Sequence, residues 1–170
     1  MPENPTDVIK RYLQDAIAAE KSFETQLRMF AKEGHNAAVQ QAFETHANET
    51  RIQYEQLTTR LEQLGGSPST AKSLLAHFFN MSPAVAKLGY EAEERTTQNL
   101  MMAFAVENSE VAMYESLITV ADAAGDSATA DLARRIQDQE RATAEKVWHF
   151  IAPCAREALQ AVREETVSHQ

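Results

Sequence analysis

Four glutamates occupy positions where long amphipathic helices should be apolar. They are Glu20, Glu49, Glu107 and Glu140, and each falls near the midpoint of a predicted helix. A carboxylate inside a helical bundle is costly unless it is protonated, paired or bound to a cation. Several carboxylates that converge at one depth are therefore best explained by a shared metal ion.

Two further side chains lie one helical turn from these glutamates. His46 precedes Glu49 and Glu110 follows Glu107, each at a spacing that puts the pair on one helix face. Carboxylates with one imidazole suit Fe(II), Mn(II) or Zn(II). We predict two divalent metal ions about 3.5–4 Å apart, bridged by carboxylates. Glu49 and Glu140 are the expected bridges, and iron is favoured over manganese or zinc.

Tyr114 lies one turn beyond Glu110 on the same predicted face. Its hydroxyl could donate a hydrogen bond to a metal ligand or act as a redox-active phenol. We favour a core tyrosine with a satisfied hydroxyl, because its ring is mainly an apolar packing group. A lone histidine in an apolar stripe would likewise be a core residue, and the neighbouring Glu49 is what favours a ligand role for His46.

The helices that position these side chains are predicted from apolar residues at helical spacing and from the turn residues between them. Glycines follow the first three apolar stripes, and Pro153 follows the fourth. Glycine commonly follows a helix, and proline breaks or kinks one. The predicted helices span about residues 6–33, 36–64, 91–124 and 128–152. We expect residues 153–170 to form a short C-terminal helix and a tail.

The connections between the helices predict the fold. Short turns near Gly34 and Gly125 make two antiparallel hairpins, and residues 65–90 form a long crossover with two predicted short helices. This is the connectivity of a ferritin-like four-helix bundle, so we predict one all-α domain over residues 6–152. The crossover has an apolar face that must be covered by the bundle or, as we favour, by the second subunit of a homodimer. That face consists of Leu74, Leu75, Phe78 and Phe79.

The distances of the acids from the turns place them in one layer. Glu20 and Glu49 lie about 14 and about 15 residues from the first turn, or roughly 22 Å at ~1.5 Å per residue. Glu110 and Glu140 lie about 15 residues from the second turn, and Glu107 lies about 18 from it. We therefore expect carboxylates from all four helices to meet.

Composition and charge limit the classes of function. The chain has 170 residues and a net charge of −9, which argues against a nucleic-acid-binding surface. Cys154 is the single cysteine, so neither an internal disulfide nor a Cys-x-x-Cys site can form. The longest apolar run, residues 100–106, is too short to cross a membrane, and the N-terminus is unlike a signal peptide. We expect a cytoplasmic protein that binds neither membrane nor nucleic acid.

With these acids and His46 in place, the chain resembles the YciE/YciF-like branch of the ferritin-like superfamily over about residues 8–151. The resemblance implies a bacterial, stress-associated, dimeric protein with a di-metal centre. It is carried by the strings Ala19-Glu20-Lys21, Phe43 to Thr50, Val106 to Tyr114, and Gln139 to Lys146.

The chain also departs from better-known relatives. Ferritin-like di-iron proteins typically carry Glu-x-x-His on two helices, but here Ile52 and Thr143 take the histidine positions. The resemblance further leads us to expect a histidine beside Glu107, and Asn108 stands there as a neighbour of the ligands. Because no Cys-x-x-Cys module is present, a rubrerythrin-like built-in electron donor is absent and the donor must be external.

Two classes of function remain open from the sequence. In the first, the bundle is an oxidoreductase, ferroxidase- or peroxidase-like, that oxidises Fe(II) with oxygen or peroxide in stress protection. In the second, it is a non-catalytic stress or interaction bundle that binds a protein partner or only buffers metal. Metal content and peroxide consumption distinguish these classes.

Overall fold

The computed structural model describes residues 4–33, 35–68 and 94–168, with side chains described as far as residue 164. Those residues form helices and short connections without a strand, and the all-α prediction is confirmed. The helices are α1 (Pro5–Glu33), α2 (Ala37–Gln63), α3 (Arg95–Ala123) and α4 (Ser127–Ser168). No helix in the described ranges is long and apolar enough to span a bilayer.

Part of the sequence prediction falls on residues outside those ranges. The two short helices predicted within 65–90 and the apolar face that includes Leu74 and Phe78 are in this category. The homodimer expected from that face therefore stays a prediction.

Side-chain caps and glycine stops define the ends of the hairpins. The Asn36 side chain accepts hydrogen bonds from the backbone N–H groups of Ala38 and Val39, at 3.0 and 3.2 Å, which caps the start of α2. Gly65 and Gly125 both adopt a φ of 73°, a left-handed conformation that costs glycine little. Each follows the end of a helix, where such a residue lets the last carbonyl groups find donors.

Contacts at the two ends of the bundle determine the direction of each helix. At one end, Arg60 near the end of α2 pairs with Asp126 at the start of α4, at 2.7 Å. At the opposite end, Asn36 donates a hydrogen bond to Glu157, and the backbone N–H of His35 donates one to Thr96. Residues 67 and 94 thus lie at opposite ends of the bundle. This is the predicted ferritin-like connectivity.

The fourth helix differs from its prediction, because it does not end near residue 152 but continues through Pro153 to Ser168. A proline inside a helix removes one backbone hydrogen bond and crowds the preceding turn. Tertiary contacts oppose that cost, since Cys154 and Ala158 are buried and Glu157 bonds to Asn36. The separate C-terminal helix predicted for residues 153–170 is therefore a continuation of α4.

The core lies between the two hairpins and follows the predicted apolar stripes. On α1 the stripe consists of Ile9, Leu13, Ala16, Ile17, Phe23, Leu27 and Phe30, all of which are buried. Glu20 lies in the same stripe and has no exposed surface. A polar layer therefore interrupts the apolar stripe of α1 near its middle.

Replacing Asp126 with Ala should lower the free energy of unfolding by about 1–2 kcal/mol. The Asp126 carboxylate caps α4 through the backbone N–H of Thr129, at 3.1 Å, and also pairs with Arg60, at 2.7 Å. Urea denaturation measures the change, and Asp131→Ala, at an exposed ion pair on the same helix, is the matched control. Equal effects of the two substitutions would contradict a special role for Asp126.

Candidate metal centre

Five buried side chains from the four helices meet at the polar layer. Glu20 comes from α1, His46 from α2, Glu107 and Glu110 from α3, and Glu140 from α4. The four glutamates are 0% exposed and His46 is 4% exposed. The sequence analysis named all five as metal ligands, and the structure places all five in the core.

The closest approach in this cluster is between an imidazole and a carboxylate. His46 Nε2 lies 2.5 Å from Glu107 Oε1, an ion-pair distance. Neither atom takes part in a hydrogen bond of normal geometry. One ligand atom from each of His46, Glu107 and Glu140 lies within 4.8 Å of the other two. A cation bound between these closely spaced groups would offset the cost of burying them without hydrogen bonds.

Eight buried nitrogen and oxygen atoms of the five residues, all of them possible metal ligands, have no hydrogen-bond partner. Unsatisfied buried polar atoms are rare in folded proteins, and each is costly when its group is charged. A concentration of them in one place therefore fits a site that binds a cation or shares protons. The eight atoms are Glu20 Oε2, His46 Nδ1 and Nε2, both oxygens of Glu107 and of Glu110, and Glu140 Oε2.

Two neutral side chains donate hydrogen bonds to the remaining oxygens of the cluster, which belong to Glu20 and Glu140. The Tyr114 hydroxyl donates a short hydrogen bond to Glu20 Oε1. The tyrosine is therefore a core residue that also contacts a candidate metal ligand. Gln53 Nε2 donates to Glu140 Oε1, at 2.5 Å, and to Gln139 Oε1, at 3.2 Å. The sequence analysis did not identify Gln53 as part of the site. Its signal was a polar residue within the apolar stripe of α2.

The surroundings favour protonation of the cluster when no metal is bound. Burial is the main cause that raises the pKa of Glu20 from 4.5 to about 8, assisted by the charge of Glu107 and opposed by the Tyr114 hydrogen bond. Burial also raises the pKa of Glu110 and of Glu140 well above the usual range, and neighbouring glutamates add to the effect. These three carboxyl groups, of Glu20, Glu110 and Glu140, therefore favour protons that a metal ion must displace.

Burial and the neighbouring carboxylates have opposite effects on the pKa of His46. Burial alone would lower the pKa of the imidazole, but the negative charge of Glu107 and contacts with Glu107 and Glu49 raise it from 6.5 to about 9. The ring also packs edge-on against Phe23, with centroids 5.5 Å apart. Its orientation is thus held by an apolar neighbour as well as by charge.

Two residues of the predicted site do not lie in the core. Glu49 is 49% exposed, and its carboxylate lies 3.7 Å from His46 Nδ1, the ring nitrogen other than the one near Glu107. The prediction that Glu49 is a core residue is wrong, because the inward face of α2 runs through His46, Thr50 and Gln53. Asn108 is also exposed, and its side chain donates to the Phe104 carbonyl of its own helix, so its predicted place beside the ligands is wrong too.

The donor set fits a pair of divalent cations in charge and in chemistry. Four carboxylates carry four negative charges, which two divalent ions neutralise when His46 is neutral. Carboxylate oxygens with one imidazole nitrogen match the preferences of iron, manganese and zinc. One ligand atom from each of His46, Glu107 and Glu140 lies close enough to the other two for the three residues to share one ion.

Comparisons with known proteins agree with this fold. The sequence matches the family described as "Domain of unknown function (DUF892)" over residues 4–160. It is 30% identical to "Protein YciF" of Escherichia coli over 144 residues, which cover 81% of this chain and 84% of that protein. The crystal structure of that E. coli stress protein superposes with a TM-score of 0.81 and 25% identity, covering 92% of this chain and 99% of the other.

Two further solved structures share the architecture. A protein of Xanthomonas campestris pv. campestris has a TM-score of 0.78 at 25% identity, covering 94% of this chain and 99% of that chain. The Dps protein of Vibrio cholerae, which is described as one of the ferritin-like diiron-carboxylate proteins, has a TM-score of 0.69 at 10% identity, covering 86% and 91%. The second likeness concerns the fold alone. The chain belongs to the DUF892 family, is YciE/YciF-like, and has a ferritin-like fold.

Proposed function

We propose that this protein binds two divalent metal ions between its four helices and oxidises Fe(II) with dioxygen or peroxide. Glu20, His46, Glu107, Glu110 and Glu140 are the ligands. The observation that carries the proposal is the set of eight buried donor atoms without hydrogen-bond partners. A bundle that served packing alone would replace these groups with apolar side chains, because each buried charge costs several kcal/mol.

Residues around the ligands hold them in the state that binds metal. The Glu49 carboxylate lies beside His46 Nδ1 and so favours a proton on that nitrogen, which leaves Nε2 as the donor atom. Tyr114 and Gln53 each donate to one oxygen of a carboxylate, and the second oxygen of that carboxylate has no hydrogen-bond partner. Tyr114 remains a donor because burial and the nearby Glu20 raise the pKa of its phenol well above the usual value.

The redox step that we propose uses Fe(II) as the electron source. Glu20, His46, Glu107, Glu110 and Glu140 would hold the two Fe(II) ions, which would each give up one electron and become Fe(III). Dioxygen accepts two electrons and two protons to give hydrogen peroxide, and hydrogen peroxide accepts two of each to give two waters. The E. coli relative is named as a stress protein and the V. cholerae neighbour as a diiron-carboxylate protein, and both support this assignment.

A second candidate is a non-catalytic bundle that binds a protein partner. It is favoured by a surface tryptophan, Trp148, which is 59% exposed and packs against Phe104 with the rings tilted by 45° and their centroids 5.2 Å apart. Exposed aromatic side chains are enriched at protein interfaces. In this candidate the buried carboxyl groups would stay protonated, and chelators would leave the stability of the protein unchanged.

Metal content distinguishes these two candidates. After anaerobic loading with Fe(II) or Mn(II), mass spectrometry should find about two equivalents per chain. Glu110→Met should lose metal, yet it should raise the free energy of unfolding of the metal-free protein by about 1–4 kcal/mol, because an apolar group replaces a buried acid. Glu145→Met, at a glutamate that is 76% exposed, is the control and should change neither quantity. A parent protein that takes up no metal would contradict the proposed function.

The stability of the metal-free protein should fall as pH rises. Folding raises the pKa of Glu20 from 4.5 to about 8 and that of His46 from 6.5 to about 9, so the folded state binds more protons than the unfolded state between these values. Their contribution is fully present below the unfolded pKa and is lost as pH rises through the folded pKa. The expected slope is up to about 1.4 kcal/mol per pH unit for each group that titrates.

Urea denaturation at several pH values, with a chelator and then with Mn(II), measures this dependence. Metal replaces the protons, so the stabilisation by Mn(II) should grow over the same pH range. Glu20→Gln should flatten the curve of the metal-free protein. A free energy of unfolding that rises from about pH 5 to about pH 8 in the chelated parent would show that the cluster is not proton-loaded.

Glu49→Gln should weaken metal affinity by about 10-fold or more while leaving the number of bound ions unchanged. The reason is that Glu49 orients His46 from outside the core and does not itself bind metal. Nitrogen NMR of the His46 ring should report a loss of the preference for Nδ1 protonation. Glu145→Gln is the control on an exposed surface. Loss of one whole equivalent of metal would instead identify Glu49 as a ligand, as the sequence analysis expected.

A further inference from the structure

A pocket between α2 and α4 reaches one of the five buried donors. The four glutamates of the cluster have no exposed surface, so a molecule that reacts there must pass between helices. The pocket has a volume of about 270 Å³, and His46 lies in its wall. Thr143, which lies one helical turn after Glu140, is in the same wall, so the pocket comes within one turn of the donor on α4.

Small side chains account for the space between the two helices. Ala38 and Ala42 lie one turn apart on α2 and leave a gap opposite Val147 of α4. Thr143 stands three residues after Glu140, where ferritin-like di-iron bundles typically carry a histidine. The absence of an imidazole at that position leaves room beside the donors that a ligand side chain would otherwise fill.

The chemistry of the wall selects what can enter. The walls are formed largely by Phe43, Leu100, Val147 and Phe150, with charged groups only at Glu49 and Lys146 besides His46. A hydrated ion would lose its water against these apolar groups without replacement, which is strongly unfavourable. Small apolar molecules gain by entering instead, and dry apolar cavities of about 150 Å³ in other proteins bind benzene or xenon.

We propose that this pocket is the site through which dioxygen reaches the metal centre, past His46 and between α2 and α4. The role of dioxygen rests on the proposed function, whereas the affinity of the pocket for small apolar molecules does not. Dioxygen is uncharged, apolar and far smaller than the pocket, and it needs no hydrogen-bond partner. Glu49 lies at the exposed side of the pocket as well as beside His46, so the residue that orients the imidazole also borders the path.

Xenon tests the pocket without metal or turnover. In chelated protein under xenon pressure, NMR signals of Phe43, His46 and Val147 should shift together in proportion to xenon concentration. Ala42→Phe should abolish these shifts, because a phenyl ring at position 42 fills the space. Ala112→Phe, at an exposed position on α3 outside the pocket, is the control and should retain them. If Ala42→Phe does not fold, Ala42→Leu fills part of the same space.

The rate of Fe(II) oxidation by dioxygen tests the path. Ala42→Phe should slow it by about tenfold, since access becomes limiting, while anaerobic Co(II) binding stays at the parental stoichiometry. Failure of Co(II) to bind the parent would overturn the proposed function and leave the xenon result standing. Parental xenon shifts that are absent, or an unchanged oxidation rate in a variant that has lost xenon binding, would overturn the pocket proposal.

Discussion

The cost of burying four carboxylates in one layer is the constraint on which the rest of this structure depends. Glu20, Glu107, Glu110 and Glu140 have no exposed surface, and like charges at this proximity oppose the folded state unless they are protonated or neutralised by cations. The burial of apolar side chains on either side of this layer supplies free energy that offsets the cost of burying the acids. The raised pKa values of Glu20 and His46 reflect the same constraint, because both groups hold a proton more tightly in the folded protein than in the unfolded chain.

The helix connections bring donors from different parts of the chain to one depth. Contacts at both ends of the bundle determine this alignment, because Arg60 pairs with Asp126 at one end and Asn36 bonds to Glu157 at the other. Helices that are held by contacts at both ends cannot shift along one another by a helical turn without breaking these contacts. The continuation of α4 past Pro153 is therefore part of the support of the site, since Glu157 lies beyond the proline.

The site differs in its donors from the Glu-x-x-His pattern that is typical of ferritin-like di-iron proteins. At the first histidine position, Ile52 is 50% exposed, so a side chain there points away from the cluster. At the second, Thr143 is buried and lines the pocket beside Glu140. The single imidazole thus comes from His46, whose position is set by Phe23 on one side and Glu49 on another. Fewer nitrogen donors leave more space and a more acidic cluster.

The sequence by itself predicted the four helices, their connectivity and the buried position of five of the six candidate ligands, because helical periodicity makes an acid within an apolar stripe visible. It could not determine which of two neighbouring positions turns inward. His46 and Glu49 are one turn apart, and only packing against the other helices placed Thr50 and Gln53 in the core and Glu49 outside. Only tertiary contacts likewise carried α4 through Pro153, because local propensity disfavours proline there by about 3 kcal/mol. Local pattern thus specified the elements and most of the donors, whereas contacts between helices decided the phase of α2, the length of α4 and the pocket beside His46.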